Sequence, residues 1–568
     1  MKKLLLATLL CAAPLAGCST LDGLIPGRAA APAATATVDT ARLASAIKTL
    51  SSDEFEGRAP ASAGEEKTVA FLVDQLKQIG LEPGGDLKDG KRAWTQDVPL
   101  ARFQIVGTPS LGVTINGKTT PLTQGEEIAI RAAQTNVDSV TFSGAPIVFA
   151  GYGIKAPERD WDDFKGMDLK GKIVLVMIND ADYETGVAGQ PGGDFGGKAM
   201  TYYGRWTYKF EEAARQGALG FIVVHETGPA SYGWATVKNS NTNEMFDIVR
   251  ADPTKAHAPV EGWVQRDTAA AWLAAAGYDY ETLKREAQTR AFKPVELTGV
   301  TLSGDYKVKH EVIISKNVVA ILPGAKRPNE TIFYTAHWDH LGIGRPDAKG
   351  DRIYNGAVDN ATGTAALLEM ARLYKAAPRT DRSIVFLWVT AEERGLLGSE
   401  YYAANPLYPL ATTVGVLNTD ALDPTGPARD FTISGNAKLE LLDMLIAEGA
   451  KRNRTYTPDP SPEAGYFFRS DHFPFAKRGV PAISFGSGQD MVTGGLAAGQ
   501  AFDQTYRTSM YHQPADEWSD SWSMDGIAAD ITMLYDLGRD LATSNRWPAW
   551  GAGSEFKAAR DASAAARQ

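Results

Sequence analysis

The stretch Thr331–His340, TIFYTAHWDH, starts as a buried strand and ends in two histidines and an aspartate. Thr331 to Thr335 is a continuous apolar and β-branched run without alternation, the pattern of a strand covered on both faces. Similar runs occur at Val318–Leu322, Ser383–Val389, Val414–Leu417 and Ala482–Phe485. Helical patterns lie between or after them, at 362–376, 437–451 and 524–543. Strands alternating with helices predict an α/β three-layer sandwich with a mostly parallel central sheet. In such sheets ligands gather at the carboxyl ends of the strands, which is where this chain concentrates its chemistry.

Three strand ends carry donor groups. The first offers His337, Asp339 and His340, the second Glu392 and Glu393, and the third Asp420. Gly356-Ala-Val-Asp359-Asn360 opens a helix between the first two, and Tyr511-His512-Gln513-Pro514-Ala515-Asp516-Glu517 follows near the end. One acidic strand end reads as a solvated turn. Several crowded carboxylates repel, and burying them costs several kcal/mol each. Two divalent cations would offset that repulsion. Donors drawn from His, Asp and Glu without Cys suit zinc, with cobalt or manganese as substitutes. A two-metal site needs a bridging carboxylate and further donors on each ion. His337, Asp359, Glu393, Asp420 and His512 meet that count, with Glu392 left over as a base.

The ordered set HWD (337–339), GAVDNATG (356–363), AEE (391–393), NTD (418–420) and YHQPADE (511–517) resembles the co-catalytic di-zinc exopeptidases that include bacterial secreted aminopeptidases. The resemblance runs from about 306 to 540, and residues 40–82, with SSDEFEGRAPASAGEE, resemble the start of the same domain. It implies that His337 and Glu393 hold one Zn²⁺, that Asp420 and His512 hold the other, and that Asp359 bridges them. It implies Glu392 as general base and acid, and Asp339 as the hydrogen-bond partner that sets the His337 tautomer. The expected substrate is a peptide with a free N-terminus. A carboxypeptidase or dipeptidase on the same fold is the rival enzyme, and a noncatalytic binding protein is the rival from another class. His472, in Ser470-Asp471-His472-Phe473, is open to lining the site or to packing, as is Trp338. His340 reads as structural, and His225, His257 and His310 fall outside the motifs. The tyrosine that stabilises the oxyanion in such enzymes is not assignable near Tyr466-Phe467-Phe468.

Upstream, Leu169–Met177 (LKGKIVLVM), a helix from Tyr208 to Gln216 and Ala218–Val224 (ALGFIVV) resemble a β-rich protease-associated domain inserted into the catalytic domain. The glycine-rich 185–198 reads as a surface loop, since it lacks a phosphate-loop pattern. The organisation expected is a signal peptide at 1–17 and a tether at 18–39. The first part of the catalytic domain follows at 40–145, the insert at 146–300, the main catalytic part at 301–550 and a flexible tail at 551–568.

Composition limits the alternatives. Lys plus Arg number 58 against 68 Asp plus Glu, a net charge of -10, which argues against nucleic acid as the partner. The two cysteines, Cys11 and Cys18, precede the folded part, which excludes disulfides, cysteine zinc clusters and a cysteine nucleophile there. Lys2 and Lys3, the apolar run Leu4–Ala13 and then Leu15-Ala-Gly-Cys18 resemble a bacterial lipobox. The expectation is export to the periplasm or cell envelope and membrane attachment through lipidated Cys18, on the outer membrane because Ser19 rather than Asp follows. Oligomeric state is not legible.

Overall fold

The computed structural model describes residues 37–185 and 194–567. The signal peptide and Cys18 lie outside the described residues, as do most of the tether and the middle of the glycine-rich loop. Residues from Thr37 onward form one compact unit. Among the described residues no helix is long and apolar enough to cross a membrane.

Helix α1, Thr40–Leu50, is capped by the Asp39 carboxylate, which accepts from the Ala41 and Arg42 amides, and it buries Leu43, Ile47 and Leu50. Helix α2, Ala63–Ile79, starts on the Ser62 hydroxyl and stops at Gly80, whose φ of 83° suits a residue without Cβ. The chain then enters strand β1, Thr95–Ile115, and β2, Ser139–Phe149. Strand β3, Ile173–Met177, helix α3, Trp206–Gln216, and strands β4, Gly220–His225, and β5, Val260–Gln265, complete an upstream α/β layer. The 28-residue β6, Val295–Leu322, leads back to the second half. There β7, Arg327–His337, α4, Gly363–Ala376, β8, Arg382–Val389, and β9, Thr413–Thr419, alternate as expected. Strand β10, Asp430–Ile433, helix α5, Glu440–Ala450, strand β11, Ala482–Ser487, and helices α6, Gly495–Ser509, and α7, Asp525–Thr543, follow.

One sheet runs in the order β10-β11-β9-β7-β8-β6-β2-β3-β4-β5. The β11-β9-β7-β8 pairs are parallel, β8 and β6 are antiparallel, and β2-β3-β4-β5 are again parallel. The central strands are apolar on both faces because helices cover them: every residue of β8 and β9 is buried.

Two large cores share this sheet. One joins α1 and α2 to residues 318–556, and the other is built mainly from residues 101–308. This moves the expected boundary of the insert. Residue 146 falls inside β2, and Ile128–Ile130 pairs with β5, so residues 101–145 pack with the upstream core and not with the downstream one. No linker marks the junction, because β1 and β6 pair antiparallel along most of their length.

The expectation of a flexible C-terminal tail is also corrected. Helix α8 spans Lys557–Ala562. Phe556 is buried against Trp550, Phe467 and Phe473, and buried Arg560 donates to the Thr413 carbonyl at 3.0 Å. Two large buried side chains anchor a segment whose alanine-rich composition hid them.

Candidate metal centre

Parallel register places the donor groups side by side. Strand β7 lies between β8 and β9, with His337 opposite Val389 and Thr335 opposite Asn418. The three strands therefore end together, and their next residues project into one crevice. His337 Nε2 lies 3.0 Å from Asp420 Oδ1 and 3.2 Å from Asp359 Oδ1. The other Asp359 oxygen, Oδ2, is 3.3 Å from His512 Nε2, which is itself 3.1 Å from Glu393 Oε2. Asp359 thus faces two groups of donors, one with each oxygen.

This geometry corrects the expected partition. His337 groups with Asp420, and Glu393 with His512, rather than His337 with Glu393. The physical reason is strand adjacency. His337 and Asp420 leave neighbouring parallel strands, whereas the chain after β8 turns at Ala391 (φ 54°) and brings Glu393 beside His340 and His512. Two three-donor clusters are compact enough for an ion, His337–Asp359–Asp420 and His340–Asp359–Glu393. His340, read as structural from sequence, is fully buried with Nδ1 2.7 Å from Glu393 Oε1, yet out of line for a hydrogen bond. It belongs to the centre.

Asp339 also departs from expectation. His337 Nδ1 donates to the Asp339 main-chain carbonyl at 3.0 Å, so the backbone and not the carboxylate sets the tautomer. That bond leaves Nε2 free to ligate. The Asp339 carboxylate sits 3.8 Å from Nδ1 and accepts the Glu392 amide at 3.1 Å, which fixes the Glu392 main chain.

Four residues not assigned from sequence complete the site. Buried Arg58 donates to the carbonyls of Trp338, Leu50, Asn355 and Gly356, tying the His337 loop to the Asp359 loop. Asp516 accepts the Val358 and Asp359 amides at 2.9 and 3.1 Å. The Ser470 hydroxyl donates to Asp420 Oδ2 at 2.7 Å and receives Asn418 Nδ2. Tyr511 stacks on the His512 ring at 3.9 Å and is 46% exposed, so it stands at the mouth of the site. Its position immediately before His512 was the available signal. Other candidates resolve to packing. His472 is buried edge-on against Phe467, and burial lowers it to about 3. Trp338 is buried, its indole donating to the Lys316 carbonyl. His257 lies between Asp247 and Glu261 at 3.0 Å each, far along the chain from the motifs.

Electrostatics matches a cation site. Among the described residues no Lys or Arg lies within ion-pair distance of Asp359, Glu392, Glu393 or Asp420, and the ion-pair partners of Asp359, Glu393 and Asp420 are histidines. Burial, with the Asp420 and Glu393 charges, pushes Glu392 well above the carboxylate range against the pull of His337. Against burial, His337 and His512 hold Asp359 well below its usual range. Burial alone would lower His512, but Asp359 and Glu393 raise it to about 10. Glu393 Oε1 and both His340 nitrogens are buried without hydrogen-bond partners among the described residues. Orphaned donors around crowded carboxylates fit divalent metal.

Residues 317–534 match the family model described as peptidase family M28. Leupeptin-inactivating enzyme 1 of Streptomyces exfoliatus is 31% identical over 202 residues, covering 34% of this chain and 42% of that protein. Aminopeptidase YwaD of Bacillus subtilis is 37% identical over 93 residues, 16% of this chain and 17% of that one. The matched part spans under half the length of these curated relatives. An aminopeptidase structure from Aneurinibacillus sp. strain AM-1 aligns over 90% of this chain and 96% of its own at 20% identity, with a TM-score of 0.47.

Proposed function

We infer, from the donor geometry and from the match of residues 317–534 to the model of peptidase family M28, that the chain is a di-zinc aminopeptidase that removes N-terminal residues from peptides. The observation that supports this most is the pair of donor groups sharing Asp359, with Glu392 beside them and bonded to neither ligand histidine. His337, Asp359 and Asp420 would hold one ion, and Asp359, Glu393 and His512 the other. Such ions supply Lewis-acid chemistry when bound, activating water and polarising the scissile carbonyl.

The remaining steps belong to the chain. The Glu392 carboxylate takes a proton from the attacking water and returns it to the leaving amine. Asp339 holds the Glu392 main chain, and its own carbonyl keeps the proton on His337 Nδ1. Arg58 and Asp516 keep the two ligand loops in register. Tyr511, at the mouth and stacked on His512, would donate its phenol proton to a developing oxyanion.

The test combines metal and substrate. Purified protein should contain close to two zinc equivalents, lose activity to a chelator and regain it with zinc or cobalt. Leucyl peptides with a free amine should be cleaved and N-acetylated ones spared. Full activity without metal would overturn the mechanism. Efficient cleavage of acetylated peptides would overturn the aminopeptidase assignment in favour of a carboxypeptidase or another hydrolase.

Export and lipid attachment at Cys18 form part of the same proposal. Wild type should fractionate with the membrane and Cys18→Ala should not; identical fractionation would remove the anchor.

A further inference from the structure

We propose that the seam between the insert and the catalytic half carries a subsite for a carboxylate of the peptide substrate, built on Arg205, Arg469 and Lys198. The proposal rests on the peptidase reading and adds a substrate class: short peptides that present a carboxylate beyond the scissile bond. A cavity of about 590 Å³ opens at this seam, with Lys198, Thr227 and Ser231 from the insert facing Ser461, Ala464 and Tyr466. That volume suits a small peptide.

The cations around it form no ion pairs among the described residues. Arg469 bridges the seam, its Nη2 donating to Ser231 Oγ at 3.3 Å and to the Ala464 carbonyl at 2.5 Å. Arg205 is only 8% exposed, and its Cδ lies 3.3 Å from where a Cβ on Gly465, next to wall residue Ala464, would stand. The Nε of each guanidinium is buried without a partner among the described residues. Neither arginine has a carboxylate within ion-pair distance there, and residues 186–193, outside the description, contain no acidic side chain. Lys198 is likewise unpaired, its ammonium 3.6 Å from the centre of the Tyr183 ring. Burial, then the Arg469 charge, lowers Arg205 to about 10, so it remains protonated at neutral pH. Glu463 on the wall and Asp459 near Arg469 and Arg507 oppose the positive field without closing an ion pair to either Arg205 or Arg469.

Arg205 is the buried one of the three; a buried cation without an ion-pair partner costs several kcal/mol, and a bound carboxylate offsets that cost through charged hydrogen bonds. Chain continuity ties the subsite to the metal centre. Arg469 directly precedes Ser470, whose hydroxyl donates to Asp420, and the Tyr466 ring is flanked by Arg469 and by Arg507 of α6, the helix that leads to Tyr511 and His512. A peptide with its amine at the centre would therefore extend its far end toward these arginines.

The carboxylate could be the C-terminus or an acidic side chain, and three peptides separate the two: Leu-Gly-Gly, its C-terminal amide, and Leu-Gly-Glu-amide. The expected result is a KM for Leu-Gly-Gly about tenfold below that of its amide. Lys198→Gln and Arg469→Gln should each narrow that gap, while hydrolysis of leucyl-anilide, which has no carboxylate, stays near wild type. Recovery of low KM by Leu-Gly-Glu-amide would assign the subsite to side chains as well. Equal KM for all three peptides in wild type would overturn the proposal. If no peptide is hydrolysed, the peptidase reading has failed, and calorimetric affinity for Leu-Gly-Gly against its amide still decides the subsite, equal affinities overturning it.

Discussion

Glu392→Gln is expected to keep both metals and the fold but to lose turnover by about 10²–10⁴-fold, toward the upper end because the carboxylate moves a proton twice per cycle. The amide is isosteric but cannot accept the proton of the attacking water. Two observations separate this residue from its neighbour Glu393. Glu393 lies within ion-pair distance of His340 and His512, whereas Glu392 pairs with neither and is held through its amide by Asp339. The measurement is kcat on a leucyl-anilide beside metal content and thermal melting. Near-normal turnover would remove the base assignment. Loss of metal with the activity would make Glu392 a ligand.

Asp359→Asn is expected to cost metal rather than only chemistry. Each Asp359 oxygen faces a different donor group, His337 with Asp420 on one side and His512 with Glu393 on the other. An asparagine keeps one oxygen and turns an amide NH₂ toward the other group, where it cannot ligate. Outer partners of metal ligands typically change affinity by about 10–100-fold, so a shared ligand should exceed that for both ions. Asp420→Asn, which touches one group, should leave one tightly held equivalent. Stoichiometry after dialysis reads the difference directly. Equal metal content in the two variants would remove Asp359 as the bridge.

Four of the five candidate donors, His337, Asp359, Glu393 and Asp420, could be picked out because each follows a strong local signal, a continuous apolar strand or a glycine-opened helix. Strand ends could be read from Thr331–Thr335, Ser383–Val389 and Val414–Leu417 without knowing how the strands pair. The α/β class followed from the same alternation. Partition of the donors was different. Whether His337 meets Asp420 or Glu393 depends on which strands are neighbours and on the turn at Ala391, and neither leaves a trace in composition or period. The tautomer of His337 likewise depends on a carbonyl two residues away, and every residue has a carbonyl.

The amino-acid sequence by itself determined the α/β class and marked out five candidate ligands and a spare glutamate, because hydrophobic period and residue chemistry are local properties. Tertiary structure alone decided the rest. It drew His340 into the centre through burial beside Glu393, and it placed Arg58 from an upstream turn across both ligand loops. It joined residues 101–145 to the upstream core by pairing β1 and β2 with β6, and it anchored the C-terminal segment through Phe556 and Arg560. These are contacts between residues far apart in the chain, and their energy comes from burial and from satisfying buried polar groups, which exist only once the strands have found their neighbours.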